Sequence, residues 1–310
     1  MKRTPLILLL LFTAAMMLAA TPTLAAEKHL LVLDRAHAVG DKHRLKLQGS
    51  GNEANSSSMG GQKLQSAMKT MSGTMTAVVE TLAVHEDESV RQAAFTIEKF
   101  TGTYNGKPVE IDTTKRLIVT GEDDSTTYAY ENGGTIEATE TVELLNLITD
   151  HLIGGGSDED EGEDGPSDEQ LFNLKEPKAV GESWACNNKL MAEDLAEEGI
   201  LADPEKMKSE MTFVAVKEYN GQKCANLVVD IDFGPVSAPE LEEQGFVIDK
   251  SSLTLGVQGL IPLDTEVNDG SFELEMKMKM TASVDIPQGR LRVDLEGSQS
   301  MKIFHLPIKD

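Results

Sequence analysis

The sequence predicts a β-rich α+β or all-β fold, in which two related halves of long antiparallel strands carry one or two short helices. Three observations favour this fold class. Several long stretches alternate apolar and polar residues with a period of two, which is typical of strands with one buried face. Helical periodicity is confined to two short segments. Short motifs of the first half of the chain also recur in the second half.

The clearest strand is predicted from Phe272 to Ile286. Its fifteen residues would span on the order of 50 Å. One face of this strand is apolar and consists of Phe272, Leu274, Met276, Met278, Met280, Ala282, Val284 and Ile286. The opposite face is polar and consists of Glu273, Glu275, Lys277, Lys279, Thr281, Ser283 and Asp285.

The strands around it form a predicted C-terminal meander with one solvent-exposed face. A turn at 287–289 leads into a further strand through 291–303. Gly297 and Gln299 interrupt the apolar face of that strand, so a bulge or bend is predicted there. Another strand is predicted at 252–261.

Shorter alternating patterns predict strands at 93–97 and 227–233 in the two halves. Helices are predicted at 137–152, where apolar residues recur three apart, and at 189–199, where Gly199 would end the helix.

Three short sequence echoes predict an internal duplication. Ala38–Asp41 resembles Ala179–Glu182, and both contain a V-G-[DE] turn. Two strand segments follow in the same order, 75–78 with 211–214 and 94–98 with 228–232. The predicted organisation is therefore an N-terminal β-rich half at 27–153 and a C-terminal β-rich half at 170–310.

An acidic, glycine-rich segment at 154–169 separates the two halves and contains no apolar residue. It is predicted to be a disordered linker, because such a composition has nothing to bury. The spacing of its acidic residues does not fit a calcium-binding EF-hand loop.

Residues 1–26 are typical of a secretory signal peptide. Two basic residues precede an apolar run at 6–20, and small residues predict cleavage after Ala25 or Ala26. A retained membrane anchor is the alternative, but the run is short and a cleavage site follows it. No cysteine lies at this site, so the protein is not expected to be a lipoprotein. It is expected to be exported, periplasmic or extracellular, without a transmembrane segment after cleavage.

The charge of the chain excludes some partners. The 310 residues include 28 Lys and Arg against 52 Asp and Glu, which gives a formal net charge of −24. Binding to nucleic acid needs clustered cations, so no nucleic-acid partner is expected. The same charge disfavours docking on an anionic membrane surface.

Cys186 and Cys224 are the two cysteines of the chain. In an exported protein an even pair predicts a disulfide. Two buried free thiols, or one reactive thiol, are the alternatives. Trp184 is expected to pack beside the pair.

No pattern in the sequence identifies an active site. Motifs for a nucleophile elbow, a phosphate loop or a zinc site are missing, so no catalytic residue, cofactor or metal ligand is assigned. His37 and His43 flank a turn with Asp41 but are too few for a metal site. The row of Met276, Met278 and Met280 could suit Cu(I), although methionines filling an apolar sheet face explain it better.

The V-G-[DE] segments also carry a resemblance. The segments 39–41 and 180–184, with the later stretches 261–265 and 285–291, resemble a loosely defined group of uncharacterised exported bacterial proteins. The resemblance implies a repeated β-sheet architecture in or beyond the cell envelope. It implies no activity and no site residue.

These observations favour an exported, non-catalytic binding protein for an amphiphile or a protein partner, because a sheet with one apolar face must cover that face. A structural or self-associating cell-envelope protein is the first alternative, and an enzyme of unrecognised type is the second. The residues that would bind a ligand remain unassigned by the sequence.

Overall fold

A computed structural model describes residues 27–33, 36–85, 89–122, 125–153, 166–197, 199–265, 267 and 270–308. The predicted signal peptide at 1–26, and residues 154–165 of the predicted linker, lie outside these described residues. Long antiparallel strands dominate the described chain, and the predicted β-rich fold class is confirmed.

The described residues form sixteen strands and four α-helices. The strands are β1 (Lys28–His29), β2 (Lys42–Met59), β3 (Gln62–Val84), β4 (Val90–Tyr104), β5 (Lys107–Val109), β6 (Leu117–Glu122), β7 (Ser125–Tyr130), β8 (Lys178–Ala179), β9 (Ser183–Trp184), β10 (Leu201–Ala202), β11 (Lys208–Tyr219), β12 (Gln222–Gly234), β13 (Val236–Ser237), β14 (Val247–Pro262), β15 (Ser271–Ile286) and β16 (Gly289–Leu306). The helices are α1 (Thr139–Thr149), which continues into a 3₁₀ turn (Asp150–Leu152), α2 (Asp168–Leu171), α3 (Asn188–Glu197) and α4 (Pro239–Glu243).

Twelve of these strands form one antiparallel sheet that contains both halves of the chain. Its order is β7-β6-β4-β3-β2-β16-β15-β14-β12-β11-β9, and β5 pairs with β4. The halves meet where β2 pairs with β16, in a ladder that runs from Arg44 opposite Leu306 to Met59 opposite Leu291. The remaining strands form two small pairs, β1 with β8 and β10 with β13.

The predicted break in the last strand is not present. Gly297 lies opposite Met278 on one side and opposite Glu53 on the other, and the register of β16 is unbroken along both neighbours. The prediction of a bulge there was wrong, because a strand paired on both sides satisfies its backbone at each residue, whatever its side chains cover.

One face of the sheet carries the apolar side chains of both halves. Directly opposed residues on neighbouring strands point to the same face. One such row crosses six strands, through Leu47, Ile303, Phe272, Gly259, Leu227 and Phe213.

Two separate cores lie on this face. The first core packs α1 against β2, β3, β4, β6 and β7. The second core packs α3 against β11, β12 and β14, and includes Leu31 from the N-terminal segment. Both predicted helices are therefore present, slightly shorter than expected, and each covers one region of the sheet.

Helix α1 lies on a row of glycines. Gly49, Gly73 and Gly102 are directly opposed on β2, β3 and β4. A Cβ atom at Gly49 would lie 2.8 Å from Cγ2 of Ile148 and 2.9 Å from the backbone oxygen of Leu147. Side chains are thus excluded from this row, because the helix packs directly against the strand backbone.

The two V-G-[DE] turns have matching hydrogen bonds. In the first turn the Ala38 amide donates to Oδ2 of Asp41 at 2.8 Å, and in the second the Ala179 amide donates to Oε2 of Glu182 at 2.9 Å. Their glycines, Gly40 and Gly181, have φ values of 94° and 84°. A left-handed residue is required at this position, which explains the glycine in both motifs.

The end of the predicted linker belongs to an ordered element. Asp168 and Glu169 form the first turn of α2, where carboxylates favour the helix dipole. Oε1 of Glu169 accepts a hydrogen bond of 2.9 Å from the amide of Leu33. The predicted boundary at residue 169 is therefore too late by at least these two residues.

Candidate functional site

Among the residues that the structure describes, the cover over the apolar face is incomplete between the two cores. On β15, Phe272 packs against the first core, while Met278 and Met280 pack with the second. Leu274 and Met276 lie between them and belong to neither core. The exposed fraction is 37 % at Met276 and 6 % at Met280, so the cover thins toward the middle of the strand.

The side chains around this gap form what we call the central strip. They are half-buried, apart from the exposed Met276, and come from three neighbouring strands: Leu255 and Val257 on β14, Leu274, Met276 and Met278 on β15, and Leu295 on β16. Val257 lies opposite Leu274, and Leu255 lies opposite Met276, so the strip is continuous across β14 and β15. On β16, Gln299 lies opposite Met276 and Gly297 lies opposite Met278, so the strip reaches β16 at Leu295, which lies opposite Met280.

The opposite face of β15 is polar, as the alternation predicted. Lys277 forms an ion pair of 2.8 Å with Glu275, and Lys279 forms one of 2.7 Å with Glu296. The predicted register is therefore confirmed. The expectation of a fully apolar interior holds at Met280 but not at Met276, because neither helix extends over the latter.

A groove of about 580 Å³ on the polar face is a poorer candidate for an apolar ligand. Most of its lining is polar, as at Lys63, Lys250 and Asp294, although Met280 and Leu295 also line it. The ion pair between Lys279 and Glu296 lies in its wall. A groove with this lining would not favour an apolar tail.

A half-buried histidine, whose two ring nitrogens are both buried, lies at one end of the central strip. His151, in the 3₁₀ turn after α1, packs its ring edge to face with Phe272, with ring centroids 5.7 Å apart. Phe272 is two residues from Leu274 on the same face of β15. Both nitrogens of His151 are buried, and no residue in the described ranges forms a hydrogen bond with either of them. Burial lowers the pKa of His151 to about 3, so the imidazole is neutral at neutral pH.

The sequence did not single out His151. The pattern at 137–152 showed an amphipathic helix, and a histidine near a helix end is usually solvated. The neighbouring residues, Leu152 and Ile153, gave the available signal, because they extend the apolar pattern past this position.

The two cysteines are not joined, which differs from the predicted disulfide. Neither cysteine forms a disulfide in the structure, and both are buried. Trp184 lies opposite Met211, and Met211 lies opposite Val229, so β9 is two strands from β12. Cys224 is five residues from Val229, about 16 Å along the strand, whereas a disulfide needs Cα atoms less than about 7 Å apart.

We expect thiol titration of the denatured, unreduced protein to find two free thiols for each chain. In the folded protein, reaction should be much slower, because both sulfurs are buried and burial raises the pKa of Cys186. An absence of titratable thiols after denaturation without reductant would show that a disulfide forms and would contradict the strand arrangement around β9.

Trp184 packs against the second core, which also contains Cys186. Its Nε1 donates a hydrogen bond of 2.8 Å to the carbonyl oxygen of Phe172, and Nζ of Lys178 lies 4.7 Å from its ring centre. Trp184 is thus a structural residue, and it packs with one of the cysteines rather than with a pair.

The other histidines do not form a recognisable metal site. His43 packs edge to face with His305, with ring centroids 5.2 Å apart. Within the part of the chain that the structure describes, no group of three or more His, Cys, Asp or Glu side chains is placed to hold a metal ion. Among the helices in the described ranges, none has the length and apolar composition needed to cross a membrane.

Comparisons with known proteins add little to this geometry. No family model and no curated protein matches the sequence. Among solved structures, the fold is similar to one described as "lipid-protein interactions in lipovitellin", with 11 % sequence identity and a TM-score of 0.28. The likeness covers 86 % of this chain and 26 % of the lipovitellin chain, so this chain spans about a quarter of that protein. A TM-score of 0.28 supports no conclusion about this chain.

Proposed function

We propose that this protein is a non-catalytic binding protein for an amphiphile, whose apolar tail lies on the central strip. The observation that carries the proposal is the gap in cover at Leu274 and Met276. These residues sit in the middle of the sheet, paired on both sides, so their exposure does not come from a frayed strand. Removing apolar surface from water lowers the free energy by about 25 cal/mol for each Å². A ligand tail that covers the strip would therefore gain this free energy on binding.

The size of the strip favours a small ligand over a protein partner. Between Leu274 and Met278 the strip occupies two strands, β14 and β15. Each strand is about 4.8 Å wide, so the strip is about 10 Å wide, and Leu274 to Met278 gives a length of about 13 Å. The resulting area is on the order of 130 Å², whereas a specific protein interface buries about 800 Å² on each partner. A single apolar chain fits the strip, and a second folded protein would need far more surface.

The side chains of the strip suit a flexible tail. Met276 and Met278 are unbranched and polarisable, and methionines are common on surfaces that accept ligands of varied shape. The predicted signal peptide would place the protein in the periplasm or outside the cell. There, a protein that shields an apolar tail from water would act as a carrier or buffer for an envelope amphiphile.

Binding of a monoacylglycerol with an environment-sensitive fluorophore on its tail tests this proposal. We expect delipidated protein to bind the probe with saturable fluorescence. In the Met276→Asp variant the dissociation constant should rise at least about tenfold, because the tail would have to cover a carboxylate. Native mass spectrometry of protein purified from cells should also show an extracted apolar ligand.

Lys277→Gln is the matched control, since it removes a charge from the adjacent residue on the opposite face of β15. Its dissociation constant should equal that of the natural protein. Equal affinity in all three proteins, or no saturable binding to any of them, would contradict the proposal.

A further inference from the structure

We infer that the bound amphiphile has an uncharged oxygen-containing head group, a hydroxyl or an ester, and that the imidazole of His151 is its hydrogen-bonding anchor. This inference rests on the proposed function, because it assumes that the tail lies on the central strip. It adds the chemical class of the ligand and the residue that selects it.

The first ground is that His151 is a buried polar group without a partner. Neither of its nitrogens forms a hydrogen bond with any part of the chain that the structure describes. Buried polar side chains are nearly always hydrogen-bonded in folded proteins, and each exception calls for an explanation. Protein atoms enclose both nitrogens, so a ligand head group that reaches them must displace a neighbouring side chain, and it would then supply the missing partner.

The neighbouring buried polar residue shows how this region satisfies such groups. Thr149, two residues earlier, is fully buried. Its hydroxyl donates to the carbonyl oxygen of Leu145 at 2.9 Å and lies 3.0 Å from the hydroxyl of Tyr128. The same helix end therefore satisfies one buried polar side chain and leaves the next one unsatisfied.

The second ground is the position of the ring. His151 packs on Phe272, which lies on the same face of β15 as Leu274 and Met276. A tail on the central strip would thus have one end beside the imidazole. An aliphatic side chain could fill the same space without an unpaired polar atom, so a purely structural role does not explain a histidine here.

The chemistry of a neutral imidazole defines the head group. One ring nitrogen carries a proton and donates, and the other accepts. A hydroxyl can pair with either nitrogen, and an ester carbonyl can accept from the donor. An alkane offers neither interaction. A carboxylate would have to leave water without a balancing charge, which is costly in buried surroundings.

A competition series tests the inference. An alkane, a primary alcohol, a methyl ester and a carboxylate of equal chain length each compete with the fluorescent monoacylglycerol. The natural protein should prefer the alcohol and the ester to the alkane by about tenfold. The His151→Leu variant should lose this preference and keep its affinity for the alkane. Its melting temperature should rise, because an unsatisfied polar group has been removed.

His151→Phe is a second variant, which keeps an aromatic ring against Phe272 and should also lose the preference. His85→Leu is the matched control, since His85 has a buried nitrogen without a hydrogen bond but lies at the end of β3, three strands from β15. The control should retain the preference.

The outcomes separate the two proposals. If His151→Leu and His151→Phe keep the preference while Met276→Asp still weakens binding, the anchor is wrong and the proposed function stands. The assignment of His151 as the anchor is also wrong if the natural protein binds the tail without preferring any head group. If the natural protein binds none of the four compounds, the proposed function and the inference both fail.

Discussion

Replacing Gly49 by Val should lower the free energy of unfolding by about 3 kcal/mol, because the new side chain would push α1 away from the sheet. Even a Cβ atom would lie 2.8 Å from Ile148 and 2.9 Å from the backbone oxygen of Leu147. A side-chain end can rotate away, but a helix backbone cannot move without loosening the first core. Urea unfolding followed by circular dichroism measures the change.

Gly51→Val is the matched control for this prediction. Gly51 lies on the same strand and the same face, yet a Cβ atom there would be 3.7 Å from its nearest neighbours. Its stability should change by less than about 0.5 kcal/mol, since a β-branched residue suits a strand. Similar losses at both positions would mean that α1 does not rest on the glycine row.

Replacing Met280 by Asp should lower the free energy of unfolding by about 4 kcal/mol, because a carboxylate would enter the second core without a partner. Met280 is 6 % exposed and packs with Leu253 and other residues of that core. The measurement is the urea midpoint at constant m-value.

Met276→Asp, four residues away on the same face, is the comparison. Met276 is 37 % exposed, so the same substitution there should reduce stability by about 1 kcal/mol or less. Equal losses at 276 and 280 would show that the strip is covered in solution. The expected contrast also keeps Met276→Asp folded in the binding experiment.

The strands could be predicted from sequence where one face is buried along their length. The alternation from Phe272 to Ile286 defined β15 to within one residue, because a period of two admits one register relative to the core. Helix α1 was predicted for a similar reason, since its apolar residues follow the helical period.

The joining of the two halves into one sheet could not be predicted in the same way. The pairing of β2 with β16 connects residues that are far apart in the chain, and no local pattern encodes which distant strand becomes the neighbour. The glycine row is a related case. Gly49, Gly73 and Gly102 look like isolated weak points in three strands until the register aligns them.

The candidate site was predictable only in part. The methionine face and its direction followed from the alternation, but its partial exposure depends on where α1 and α3 end over the sheet. The disulfide was predicted from the even number of cysteines and the predicted export of the protein alone. The register places Cys186 and Cys224 too far apart, which composition cannot show.

The position of the junction between β2 and β16 has a consequence for aggregation. These two strands have eighteen residues each, and each would be an unpaired sheet edge if its half of the chain stood alone. Long unpaired edges readily recruit strands from other molecules. In the twelve-stranded sheet they pair with each other at the centre. The strands at the rims, β9 and β7, have two and six residues, and β9 pairs with two of the twelve residues of β11. Because β16 is synthesised long after β2, that edge of β2 stays unpaired until the end of the chain has been made, and the protein is most exposed to aggregation during this interval.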